Sequence, residues 1–190
     1  MRVVIGSTTL AKRGETTCGD FCATFPTSLG TLLCLADGLG HGEKARVAAE
    51  RACAYVGANA DTPLEPLLRG LDRALAGSRG AAVSLVALQP EARRMQFAGI
   101  GNVELRALAT TRIAPPTMPG IVGQGFRTVK VWDYTIAPGD LLVLTSDGVS
   151  SRFDLESLGH LTPQQVAEAI VTDHHKSHDD ACALVARLEV

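Results

Sequence analysis

Hydrophobic positions recur along the chain with two different periods, and the period separates helices from strands. From Glu43 to Val56, the residues Ala45, Ala48, Ala49, Ala52, Cys53 and Val56 follow helical spacing. Their small side chains predict a helix lying close against a sheet. Thr62-Pro63-Leu64-Glu65 opens a second predicted helix, with the form of a capping box and proline at the first helical position. Its buried stripe is Leu64, Leu67, Leu68, Leu71 and Leu75, and Gly77 is its stop. A third helix is predicted from Thr162-Pro163-Gln164-Gln165, burying Val166, Ala169 and Ile170. Short apolar runs predict strands at Val3–Leu10, Phe21–Phe25, Thr31–Ala36, Ala81–Leu88, Arg94–Ala98, Val103–Ala109, Thr128–Thr135, Leu141–Thr145 and Ala181–Leu188. Pro115–Gly125, with its prolines and glycines, reads as a flexible loop. Strands come in runs around a pair of helices instead of alternating with them. That order predicts an α+β sandwich of antiparallel sheets covered by helices, over a doubly wound fold. No stretch has the composition of a linker, so one domain spanning residues 1–190 is expected.

Composition narrows the function. Hydrophobic residues make up 46% and charged residues 20%, which excludes a disordered chain. A net charge of −2 and only 4% aromatics argue against nucleic acid, which would call for phosphate neutralisation or base stacking. No apolar run reaches the roughly 18 residues of a membrane span, and Met1-Arg2-Val3-Val4-Ile5-Gly6 does not begin a signal peptide. A soluble, cytoplasmic protein that touches no membrane is expected. Monomer is the default, since no amphipathic surface helix demands a partner. Of the five cysteines, Cys34, Cys53 and Cys182 sit in apolar runs, and Cys18 and Cys22 lack a second close pair to complete a zinc cage. Reduced, buried thiols are expected.

The chemistry is carried by where aspartates fall. Asp37 follows Leu32-Leu33-Cys34-Leu35-Ala36 and precedes Gly38-Leu39-Gly40-His41-Gly42; Asp147 follows Leu141–Ser146 and precedes Gly148. Asp20 stands just before the strand at Phe21, and Asp179-Asp180 just before the strand at Ala181. Each carboxylate therefore borders a strand that should be buried. Gathering several of them is costly without cations to neutralise them. Two divalent ions would balance four aspartates, and all-oxygen ligation selects Mg²⁺ or Mn²⁺ over zinc. Gly38 allows a tight turn and offers its carbonyl as a further ligand. Asp-Gly is also common turn chemistry, so a single aspartate would mean little; the repetition makes a metal site the better reading.

Cys18-Gly19-Asp20, Ala36-Asp37-Gly38-Leu39-Gly40-His41-Gly42, Arg79-Gly80-Ala81-Ala82, Gly99-Ile100-Gly101-Asn102-Val103, Thr145-Ser146-Asp147-Gly148 and Asp179-Asp180-Ala181 occur in an order that resembles the PP2C-type (PPM) metal-dependent protein phosphatases. Within that family the chain is most similar to the short, SpoIIE-like bacterial branch, and there to the stand-alone feedback phosphatases of stressosomes. The resemblance covers about residue 14 to Leu188. It implies a four-layer αββα sandwich with two Mn²⁺ or Mg²⁺ ions on one rim. Asp37 would bridge both ions, the Gly38 carbonyl would bind one, and Asp20, Asp147 and Asp179 would complete the ligands, with Asp180 behind them. It further implies hydrolysis of phosphoserine or phosphothreonine by activated water, on phosphorylated STAS-domain proteins of a stressosome. Two other readings are a catalytically silent adaptor for phosphorylated STAS domains and a phosphatase of an anti-sigma-factor antagonist outside a stressosome. Pro115–Gly125 is a candidate docking loop, or else a plain surface connection.

Two departures from the family stand out. The position of a general-acid histidine, two residues after the bridging Asp, is Leu39; His41 is a candidate replacement, or else caps the Glu43 helix or is simply exposed. The family's phosphate-binding arginine has no clear match, Arg13 being nearest and more plausible as a solvated charge. The histidines His174, His175 and His178 crowd the approach to Asp179 in what reads as a solvated loop.

Overall fold

The computed structural model describes all residues, 1–190. Thirteen elements follow in the order β1 (Arg2–Leu10), β2 (Asp20–Thr27), β3 (Gly30–Gly38), α1 (Glu43–Ala58), α2 (Leu64–Ala74), β4 (Ala81–Gln89), β5 (Arg94–Ile100), β6 (Glu104–Leu108), β7 (Trp132–Thr135), β8 (Leu141–Thr145), α3 (Leu155–Leu158), α4 (Pro163–His174) and β9 (Ala181–Glu189). Four strands form one antiparallel sheet in the order β1-β9-β8-β6, and five form another in the order β2-β3-β4-β5-β7. The period of two along each strand sends alternate residues to different layers. Leu33 and Leu35 of β3 meet Leu142 and Leu144 of β8 and Leu184 of β9 between the sheets. Leu32, Cys34 and Ala36 face α1 and α2 instead. On the other side Leu141, Val143, Ala183 and Val185 pack on α4. The result is the expected αββα sandwich. No helix is long and apolar enough to cross a membrane.

Several local expectations are corrected. Thr62 does not cap α2: its N–H is used in a turn to Asn59 O, and Pro63 takes the cap position without a side-chain bond. At α4 the capping box does form, between Thr162 and Gln165. That helix buries Ala167 and Val171 beside Val166 and Ile170, while Ala169 is half-buried. The strand expected from Thr128 begins only at Trp132. Beyond Phe97 the edge of β5 is already taken, because Met118 accepts from Gly101 N–H at 2.9 Å and donates its own N–H to Gly99 O at 2.8 Å. Nothing remains for Thr128–Val131 to pair with. One-turn α3, capped by Asp154 accepting from Glu156 N–H at 3.0 Å, is too short to show a period.

Pro115–Gly125 is not the flexible loop expected. Ala81 and Val122 exchange both backbone bonds, at 3.0 and 2.9 Å. Asp72 Oδ1 accepts from the N–H groups of Gly123 and Gly125 at 2.6 and 3.2 Å, and Thr117 Oγ1 donates to Gly101 O at 2.6 Å. All five cysteines are free thiols and all but the half-buried Cys22 are buried, with the Cys34 and Cys53 sulfurs 3.6 Å apart.

Candidate metal centre

Antiparallel register brings the first two aspartates together. Asp20 opens β2, Asp37 is the penultimate residue of β3, and the two stand opposite each other. The other acids come from the second sheet, where β8 and β9 are neighbours. Their ends are tied by Ser146 N–H donating to Cys182 O at 3.1 Å and Cys182 N–H donating to Ser146 Oγ at 2.8 Å. That tie sets Asp147, one residue past Ser146, beside Asp179 and Asp180, which lead into β9. Each sheet thus delivers its carboxylates to the same rim. The backbones there are in such close contact that a Cβ on Gly38 would strike the Ala45 carbonyl of α1, and one on Gly148 would strike the Asp180 carbonyl.

The electrostatics place Asp37 at the centre. Burial, then repulsion from Asp20, Asp147 and Asp179, pushes its carboxyl up to about 9. Burial pushes Asp20 up to about 7, opposed by a hydrogen bond from Ser146 and reinforced by Asp180. Asp147 is raised by burial and by Asp179, against the pull of Lys176. Asp147 is also gripped from two sides: Asn102 Nδ2 donates to its Oδ2 at 2.5 Å, and Lys176 Nζ donates to its carbonyl at 2.5 Å. Asp180 is buried, and its Oδ1 accepts from Lys12 N–H at 2.9 Å. Asp179, half-buried, accepts from the Asp180 N–H at 3.0 Å, and its carbonyl lies 2.7 Å from His175 Nε2.

A cleft of ≈ 420 Å³ opens over this rim, lined by Asp37, Asp147 and Asp179 among others. Lys12, His41 and His178 also line it, whereas Arg13 is exposed to solvent away from it. His41 does not cap α1; Gly42 does, and His41 Nδ1 pairs instead with Glu15 Oε1 at 2.9 Å. His174 packs its ring against Phe153. Lys12 and Lys176 carry no signal in the sequence, whereas Ser146 and Asn102 stand inside the motifs Thr145–Gly148 and Gly99–Val103, and His178 adjoins Asp179.

Whether these residues suit a divalent cation can be judged from the donors. Asp20 Oδ2 and Asp180 Oδ2 are buried without any hydrogen-bond partner, a costly state that a hard cation would relieve. No three acidic, histidine or cysteine side chains are disposed to enclose a single ion as they stand. The donor chemistry fits; the closed cage is not formed.

Comparisons with known proteins agree with the architecture. The family model described as stage II sporulation protein E (SpoIIE) matches residues 28–189. The phosphoserine phosphatase RsbX of Bacillus subtilis (strain 168) is 25% identical over 163 residues, 85% of this chain and 80% of that protein. A chain solved in work on the bacterial stressosome is 30% identical with a TM-score of 0.94, covering 98% of this chain and 100% of that one. RsbX crystallised with magnesium superposes with a TM-score of 0.87 at 20% identity, over 98% and 96% of the two chains. The Mycobacterium tuberculosis serine/threonine phosphatase PstP gives 0.78 at 17% identity, over 99% of each. Since the family match runs unbroken from the start of β3 to the end of β9, the chain belongs to the SpoIIE family, and its αββα sandwich is that of the PP2C-type phosphatases.

Proposed function

We propose that the chain is a metal-dependent serine/threonine protein phosphatase of the RsbX type, acting on phosphorylated STAS-domain proteins of a stressosome. The observation that carries this is half-buried Asp37, repelled by Asp20, Asp147 and Asp179 and lining an open cleft. Asp37 and the Gly38 carbonyl, with Asp20, Asp147 and Asp179, would hold two Mg²⁺ or Mn²⁺ ions. Bound there, such ions supply charge that lowers the pKa of water and draws electrons from a phosphoryl oxygen. Holding them requires the carboxylates to turn toward one another from their present arrangement. Asn102 and Lys176 fix Asp147 on its own side of the rim, so that it has little freedom to swing away. Lys12 adds a positive charge to the cleft, suited to a phosphate dianion. His41 is the candidate general acid for the departing serine oxygen: Glu15 holds Nδ1, leaving Nε2 to give up a proton.

The test is hydrolysis of p-nitrophenyl phosphate and of a phosphorylated STAS-domain protein, in Mn²⁺ and then in EDTA. Turnover should require the cation. Asp37→Asn should lose more than the ~10–100-fold typical of residues that merely support a ligand, with an unchanged circular dichroism spectrum. Near wild-type rates from that variant would refute the assignment. Phosphoprotein binding without metal-dependent hydrolysis would instead point to an adaptor.

A further inference from the structure

One side of the cleft's mouth is apolar. Leu39 is 45% exposed there, and Ile121 and Pro119 line the cleft with it. Leu39 is not displayed by a slack loop: its N–H donates to Gly80 O at 3.0 Å, and its carbonyl accepts from Arg79 Nη1 at 3.4 Å. Gly80 is also the platform for Ile121, since a Cβ on it would lie 2.7 Å from Ile121 Cγ2. The same glycine therefore holds Leu39 through its carbonyl and lets Ile121 rest on its bare Cα. Ile121 itself is fixed by the Ala81–Val122 backbone pair next to it. Leu39 and Ile121, each anchored at Gly80, thus present apolar side chains to the cleft that Asp37, Asp147 and Asp179 also line.

We propose that Leu39 and Ile121 form a specificity-determining lip that binds an aliphatic side chain two residues away from the phosphoserine of a protein substrate. The inference rests on the phosphatase reading above and adds to it the kind of sequence the cleft selects. Distance supports the position. The Cα atoms of Asp37 and Leu39, two residues apart, are separated by no more than about 7.6 Å. In an extended peptide, side chains on the same face recur every two residues, about 6.7 Å apart. The two spans are of the same order, so an extended peptide with its phosphoserine at the carboxylates has its second neighbour within reach of the lip. Because the lip is already ordered, little entropy is lost on contact. Partial burial of one aliphatic side chain corresponds to discrimination of about 10-fold.

Two phosphoserine peptides, identical except for leucine or serine at both positions two residues from the phosphoserine, test this with the full chain in Mn²⁺. The leucine peptide should have about 10-fold higher kcat/KM, and Leu39→Ser/Ile121→Ser should bring the ratio to about one. Leu39→Ser alone, at an exposed position, should lower the ratio severalfold and serves if the double variant does not fold. A general loss of structure would depress both peptides equally and leave the ratio unchanged, so the ratio is the deciding quantity. Equal kcat/KM in the wild type, or an unchanged ratio in a folded variant, overturns the lip and leaves the phosphatase reading intact. Hydrolysis of neither peptide and of no aryl phosphate overturns both.

Discussion

Asp147 illustrates how a carboxylate is prepared for work before any ligand arrives. Its carboxylate is held by an amide that donates without bringing charge, and its backbone by the ammonium of Lys176. The amide matters because a neutral donor fixes one oxygen without forming an ion pair that would compete with a cation. Asn102→Ala should weaken Mn²⁺ binding by about 10–100-fold, read by calorimetry. Asn102→Asp should not rescue it in the same way, since it replaces a donor with another negative charge. Unchanged affinity in Asn102→Ala would mean that Asp147 holds its position without this bond. Neither Asn102 nor Lys176 was legible as a partner of Asp147: they lie 45 and 29 residues from it, and each in isolation reads as an ordinary loop polar residue. The aspartates were legible because an acidic residue at the end of a buried apolar run contradicts its surroundings.

Strands and helices were read from their periods, and failures arose where a longer-range contact overrode a local signal. Thr62-Pro63-Leu64-Glu65 has capping chemistry, but Thr62 is committed to the turn after α1. Thr128–Val131 has strand composition but finds the edge of β5 occupied by Met118. Pro115–Gly125 has loop composition, and its fastening depends on Asp72, more than forty residues earlier and invisible to any local pattern. Packing at the site is equally non-local. The end of β3 lies against α1 at Gly38, and any side chain there meets a backbone carbonyl that cannot rotate away. Gly38→Ala should therefore cost about 3 kcal/mol or more, visible as a lower urea midpoint and accompanied by lost metal binding. A midpoint within error of wild type would show that α1 can shift without penalty.

At the level of the whole molecule, the crowded carboxylates link folding to pH. Asp20 and Asp37 rise from the ordinary 3.8 to about 7 and about 9. Between those limits the folded chain keeps protons that the unfolded chain has already released, so stability falls as pH rises from about 4 to 9. In EDTA the Tm should be higher near about pH 5 than near about pH 8.5. Mn²⁺ should raise the Tm chiefly at the alkaline end, adding about 2.7 kcal/mol at a concentration of 100 Kd. A Tm that does not change with pH in EDTA would mean that neither burial nor mutual repulsion raises these acids. The pairing of β1 with β9 has a different consequence. Arg2 sits opposite Glu189, and β8 receives β9 on its inner edge. Asp179 and Asp180 are brought to the rim only when the 181–189 segment inserts between strands drawn from distant parts of the chain. Non-local pairing of this kind slows folding, and without β9 seated between β1 and β8 nothing holds Asp179 and Asp180 at the rim, so completing the sheet and completing the site are one event.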